Sequence, residues 1–202
     1  MTTQNFTIPS TDLKAIALFA AKKDIRDYLQ GVHFTHTHGG IVAQATDGHI
    51  AASLFVPQAE PAIFQPVIVP LGDIDRLKLT AKGLVDVVVD DGQITLSYNG
   101  VRITTQALDT RFPNVMRVTP ESASGQPGAF DAALLTRIDK AAKLLTGAKG
   151  ASLYRLHHNG EDAARVSIPE RDDFCGVIMP MRNSTPEPGE LPLPTWLTGA
   201  TL

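Results

Sequence analysis

One plan recurs three times along this chain: a short strand, a helix, then strands joined by tight turns. Repetition of this kind constrains the fold more than any single motif does. The first unit opens at residues 6–10, where Ser10 or Thr11 is the expected helix N-cap with Asp12 in the first turn. Leu13, Ile16, Ala17 and Ala20 then recur at helical spacing and form one apolar face. Two extended stretches follow, residues 31–36 and 41–45, turning at Gly39-Gly40.

The second unit opens at residues 66–70 and carries a short helix with Leu71, Ile74 and Leu77 inward. Asp90-Asp91-Gly92 and Asn99-Gly100 are hairpin turns, because their residue types accept the positive φ that a two-residue turn needs. The β-branched run 85–89 precedes the first turn, and residues 94–98, between the two turns, alternate. The third unit is expected to open with a strand near Phe130. Asp131 is its N-cap, Leu134, Ile138, Ala141 and Leu145 its apolar face, and Gly147 its helix stop. Strands over 152–157 and 163–168 flank Asn159-Gly160, and residues 174–179 form the last strand. Residues 120–129 have linker chemistry, small, polar and rich in Pro and Gly. The predicted organisation is an α+β chain with two units over 1–119, that linker, a third unit over 130–182, and a Pro-rich tail over 183–202.

Composition narrows the function classes. No apolar run reaches membrane-spanning length, and residues 1–5 have neither the basic flank nor the apolar stretch of a signal peptide. The single cysteine, Cys175, fits a reducing cytoplasm. The net charge of −3 argues against gripping nucleic acid by bulk charge. Contact with DNA would need a local basic face or enclosure of the duplex, and cations do recur with each helix. These are Lys14, Lys22, Lys23 and Arg26 in unit one, Arg76, Lys78 and Lys82 in unit two, and Arg137, Lys140 and Lys143 in unit three. Asp12, Asp73, Asp75 and Asp139 are interspersed, so a merely solvated surface is the competing reading.

Catalytic and metal signals are weak. His157 and His158 are adjacent in a predicted strand, so their rings point to opposite faces and cannot chelate one ion. His33, His36 and His38 have no carboxylate or thiol beside them. Cys175 sits in an apolar strand, as a buried hydrophobe does. Thr146-Gly147-Ala148-Lys149-Gly150 lacks the leading glycine and final hydroxyl of a phosphate loop and follows a helix. No catalytic residue, cofactor or metal is expected.

Four stretches carry a family resemblance: residues 24–34, Ala45-Thr46-Asp47-Gly48-His49, residues 111–118, and Val177-Ile178-Met179-Pro180-Met181-Arg182. In this order and spacing they resemble the bacterial DNA sliding clamp, the beta subunit of DNA polymerase III. The resemblance implies a clamp fold of about one and a half domains. Units one and two are similar to the clamp's middle domain, and unit three to the second half of its last domain. The parts that close the family's ring have no counterpart, so its two-subunit ring is not carried over. A homo-oligomer, even in number, is expected instead, with two copies of unit three completing each other.

The resemblance also implies a peptide pocket. Its matching positions are Leu29, Thr46, Gly48 and His49, then Pro113, Arg117 and Val118, then Val177, Met179, Pro180, Met181 and Arg182. Met and Pro make an adaptable apolar groove, and the arginines can hold polar ends of a ligand. The family's Arg-Leu after the Thr-Asp-Gly-His run is replaced here by Ile50 and Ala51. For DNA, the helix cations Lys14, Lys22, Lys23, Arg137, Lys140 and Lys143 are the candidates. The expected function is a non-enzymatic replication or repair accessory, cytoplasmic and without membrane contact. Its expected partners are clamp-binding-motif proteins (polymerase, clamp loader, repair factors) and double-stranded DNA. Two rivals stay open: a decoy that regulates a full-length clamp without encircling DNA, and a small hydrolase using Cys175 or His49. In the tail, Glu190-Leu191-Pro192-Leu193-Pro194 with Trp196-Leu197 has the look of a ligand for the chain's own pocket, against the plainer reading of a disordered terminus.

Overall fold

The computed structural model describes residues 4–59, 64–80 and 82–182. The tail motif at 190–197 therefore lies outside the described residues. Unit one comprises β1 (Gln4–Pro9), α1 (Ser10–Ala17), a 3-10 turn (Asp27–Leu29), β2 (Gly31–Thr37), β3 (Gly40–Thr46) and β4 (Ile50–Pro57). Unit two comprises β5 (Val67–Pro70), α2 (Leu71–Arg76), β6 (Leu84–Asp90), β7 (Gln93–Tyr98) and β8 (Val101–Gln106). After a 3-10 turn (Val115–Val118), unit three supplies α3 (Ala132–Thr146), β9 (Arg155–His157), β10 (Ala164–Ser167) and β11 (Phe174–Ile178).

Units one and two exchange their first strands. β1 leaves its own unit to pair antiparallel with β6, giving a four-stranded sheet in the order β1-β6-β7-β8. β5 crosses in the opposite sense and pairs with β2. Unit three then joins edge to edge, because β11 pairs antiparallel with β4 in the register Phe174↔Leu54 to Ile178↔Ile50. The second sheet thus has seven strands, β5-β2-β3-β4-β11-β10-β9. One continuous core runs from Phe6 through Phe19 and Phe34 to Ile138 and Phe174.

Local chemistry accounts for the elements. Asn99 and Gly100 sit at φ 47° and 79°, and Asp91 and Gly92 at 47° and 80°, so both hairpins turn as the residue types require. On α3, the Asp131 carboxylate accepts from the Ala133 N–H at 2.7 Å and Gly147 closes the helix at φ 70°. Two arginines fasten α3 to α1. The Arg137 side chain reaches the Leu18 carbonyl at 2.6 Å and the Ala20 carbonyl at 3.2 Å. The Arg171 guanidinium donates to the Leu145 carbonyl at 2.6 Å, to Asp12 at 2.9 Å and to Asp173 at 2.8 Å. These carboxylates push the pKa of Arg171 upward, with hydrogen bonding to Asp173 the largest cause.

Three expectations need correction. Neither Ser10 nor Thr11 caps α1: Pro9 holds that position, and the Ser10 hydroxyl donates instead to the Thr80 carbonyl at 2.9 Å. Unit three does not open with a strand at Phe130. The reason lies in the exchange of first strands, since an opening strand of unit three would need the sheet of a partner unit to receive it. Residues 124–128 instead bind the tip of the β9–β10 connection, through Gly125 N–H to the His158 carbonyl and Gly160 N–H to the Gln126 carbonyl. The strands of that hairpin are correspondingly shorter than expected, three and four residues.

Candidate functional site

The turn between β3 and β4 is the hub of the site. The Thr46 hydroxyl donates to the Ile50 carbonyl at 2.8 Å and accepts from Gly48 N–H at 3.1 Å. Oδ1 of Asp47 accepts from His49 N–H and Ile50 N–H at 2.8 and 3.0 Å. Gly48 adopts φ 94°, so its conformation calls for glycine, and a Cβ there would stand 3.3 Å from the movable Arg26 guanidinium. The other Asp47 oxygen is paired with Arg137 of α3. Arg26 is itself held by Asp24, at 2.9 Å through Nε and again through a terminal nitrogen. These bonds pull the Asp24 carboxyl down to about 2.

On one side of this turn lies an apolar surface built from three remote stretches. The β4–β11 register sets Val177 opposite Ala51, and Val115 packs on both. Beyond β11, the Met179 N–H donates to the His49 carbonyl at 2.8 Å, and Met181 N–H to the Ala129 carbonyl at 2.8 Å. The 111–118 segment is pinned at both ends. Phe112 stacks on His33 with centroids 4.5 Å apart and planes 2° off parallel. Asn114 caps the 3-10 turn by accepting from Met116 N–H at 3.1 Å. Burial pushes the His33 imidazolium pKa below its ordinary value, and the Gln44 bond opposes this in part. Met116, Val118, Met179 and Met181 are left exposed, Met116 at 72% and Met181 at 60%. Each of the four is a large apolar side chain open to solvent.

Of the expected pocket residues, His49 and Met179 meet directly, and Val177 packs with Ala51 and Val115. Pro113, Arg117 and Val118 lie on the pinned segment, and Pro180 and Arg182 flank Met181. Leu29 and Thr46 are buried. Phe112, Val115, Met116 and Ala129 were not among the expected residues. The first two had a signal in the sequence, a pair of apolar residues three apart in the stretch 111–118.

On the other side of the turn is a basic groove of about 990 Å³ between the helices. Lys14, Lys22, Lys23, Arg137 and Lys140 line it, joined by Arg26 and Lys78, against Asp24, Asp47 and Asp75. Lys143 does not line it and pairs with Asp139 at 2.8 Å. Arg137 borders the groove, but its guanidinium is committed to Asp47 and two α1 carbonyls.

The catalytic alternatives find little chemistry. Burial pushes the Cys175 thiol pKa up, which disfavours the nucleophilic thiolate. His157 contacts the Ser167 hydroxyl at 2.8 Å, whereas His158 accepts from Gly128 N–H at 3.3 Å, so the two rings serve different partners. Among the described residues no three His, Cys, Asp or Glu side chains gather as a metal site, and no helix is long and apolar enough to cross a membrane.

A family model described as the DNA polymerase III beta subunit, central domain, matches residues 9–114. The chain belongs to that family. The beta sliding clamp of Caulobacter vibrioides is 35% identical over 107 residues, 48% of this chain and 28% of that protein. The beta sliding clamp of Buchnera aphidicola is 27% identical over 185 residues, 88% of this chain and 44% of that protein. The chain therefore spans less than half the length of these relatives. The DNA polymerase sliding clamp of Pseudomonas aeruginosa, solved with a ligand, superposes with a TM-score of 0.69 at 20% identity, over 89% of this chain and 66% of that one. This likeness extends the clamp fold beyond the middle domain into unit three, so the architecture is that of a partial sliding clamp.

Proposed function

We propose that this chain is a non-catalytic, sliding-clamp-like accessory of DNA replication or repair. It holds short linear peptides of polymerases, clamp loaders or repair proteins on the apolar surface, and duplex DNA against the helix groove, in the cytoplasm. One observation carries the reading. Three stretches separated by some sixty residues each converge on a single turn, with exposed methionines on one side and clustered cations on the other. An apolar groove of methionine and proline accepts varied apolar anchors, because the thioether is polarisable and rotates freely. Arg117 and Arg182 are both exposed, and in this reading they meet a polar or acidic end of the peptide.

The test is calorimetric titration with a peptide of the type Gln-Leu-x-Leu-Phe. Binding of micromolar strength is expected, on the order of −8 kcal/mol. Met179→Ala and Met181→Ala should each weaken it by roughly 1–2 kcal/mol, as an anchor loses a wall of its groove. Equal titration curves for both variants and the parent chain, or no binding by the parent chain, would defeat the reading. Retention on closed circular DNA then separates an encircling clamp from a decoy that binds peptides alone.

A further inference from the structure

In this fold each unit ends in a strand: β4 for unit one, β8 for unit two and β11 for unit three. Two of these end strands satisfy one another, since β4 and β11 pair antiparallel over five residues. β8 has a neighbour on one side alone, β7. The remaining sheet edges are closed or short. On β1, the Gln58 side chain bridges the edge, accepting from Thr7 N–H at 3.1 Å and donating to the Thr7 carbonyl at 2.8 Å. On β5, the Ile68 carbonyl accepts from Leu108 N–H at 3.0 Å. β9 is three residues long.

β8 has few of the features that normally blunt an edge. Its six residues, Val101–Gln106, include no proline and no lysine, and Arg102 is its one charge. The Asn99-Gly100 turn makes Tyr98 and Val101 the closing hydrogen-bonded pair. Alternation then directs the backbone N–H and C=O of Val101, Ile103 and Thr105 toward β7, and those of Arg102, Thr104 and Gln106 outward. Among the described residues, no hydrogen bond reaches the outward backbone groups of Arg102 or Thr104.

We propose that β8 is a homotypic interface: it pairs antiparallel with β8 of a second copy and joins two four-stranded sheets into one of eight strands. The occupant follows from the way this chain already joins its sheets, end strand to end strand and antiparallel. The register follows from parity and charge. Residues directly opposite in an antiparallel pair share a face, so inward Ile103 must meet an odd-numbered residue. Pairing Ile103 with Ile103 of the second copy sets Val101 against Thr105 and Arg102 against Thr104. A shift of two residues one way opposes Arg102 to Arg102, which like charge disfavours. A shift the other way leaves Val101 unpaired and 43% exposed. The interface lies on unit two and is independent of the peptide surface, the groove and any contact through unit three.

The test is the solution mass of the full chain by light scattering at micromolar concentrations. Thr104→Pro removes one outward N–H and leaves the bonds to β7 intact, a position where an edge strand tolerates proline. The parent chain should be oligomeric and Thr104→Pro should halve its mass, with the urea midpoint retained. Should Thr104→Pro fail to fold, Val101→Cys with Thr105→Cys in a Cys175→Ser background gives the same information. Those two positions face each other across the axis as a non-hydrogen-bonded pair, about 4.5 Å between Cα atoms, within reach of a disulfide. Oxidation should then give a covalent dimer. A monomeric parent chain, a mass unchanged by Thr104→Pro, or absence of the cross-link would each overturn the proposal.

Discussion

Replacing Arg137 with alanine distinguishes a surface cation from a structural one. In the structure its guanidinium spans the Leu18 and Ala20 carbonyls at the end of α1 and the Asp47 carboxylate in the β3–β4 turn, residues ninety or more positions away. The Arg137 side chain is 25% exposed and that of Asp47 14%. Breaking a fully buried ion pair by removing one partner costs roughly 3–5 kcal/mol, and partial exposure lets water recover some of this. The two carbonyls lose charge-assisted bonds as well. A loss of about 2–3 kcal/mol is therefore expected. With a urea m-value of about 2 kcal/mol/M for a domain of this size, the midpoint should fall by roughly 1 M. Arg137→Lys should recover less than half of the loss, because one ammonium cannot span three acceptors in a plane. Lys140→Ala, on the same helix but exposed, should stay within about 0.5 kcal/mol of the parent chain. An Arg137→Ala midpoint indistinguishable from that of Lys140→Ala would refute the structural role and return Arg137 to the solvated surface.

Two further outcomes are expected. Because the folded His33 pKa lies below the ordinary 6.5, the unfolded chain takes up the proton first as pH falls. His33 therefore contributes stability that is present above about pH 6.5 and lost as pH drops toward its folded pKa. Urea midpoints at pH 7.5 and 5.5 should differ, and His33→Gln should narrow that difference; an unchanged gap would contradict the assignment. For DNA, charge reversal of Lys22, Lys23 and Lys140 should weaken duplex binding and flatten its salt dependence, by a slope of about 0.9 for each phosphate no longer neutralised. Lys143→Glu should do neither, since Lys143 stands off the groove on Asp139. Equal salt slopes for all four substitutions would leave the groove as a merely solvated surface.

What could be read from the residues divides by the range of the interaction. The turns at Asp91-Gly92 and Asn99-Gly100 and the caps of α3 depend on conformational preferences of two or three neighbouring residues, and all appear where the residue types place them. The Ser10 hydroxyl was legible as polar and close to a helix start, but its partner is the Thr80 carbonyl, seventy residues on. Arg137 was legible as a cation off the apolar helix face. Its acceptors lie 90 to 119 positions away, which no periodicity reveals. The missing opening strand of unit three shows the same limit. Its residues could extend, yet whether they form a strand depends on a sheet edge elsewhere to receive them.

The apolar surface inherits this dependence on long-range register. Along β11, Phe174, Gly176 and Ile178 alternate with Cys175 and Val177, and the β4 pairing directs Val177 outward onto Ala51 and Val115. A slip of one residue would turn Val177 into the main core and bring Ile178 out beneath Val115. It would also move the Met179 N–H away from the His49 carbonyl, so the exposed methionines and the hub turn would part. Five paired residues alone hold a register weakly. Arg171 holds it from the core side: it grips Asp173 immediately before β11, and with the same guanidinium Asp12 of α1 and the last turn of α3. Arg137 holds the hub turn against the same pair of helices. The two arginines thus set the β4 turn and β11 relative to one helix pair, which brings Ala51 and Val177 together beneath Val115 of the 111–118 segment.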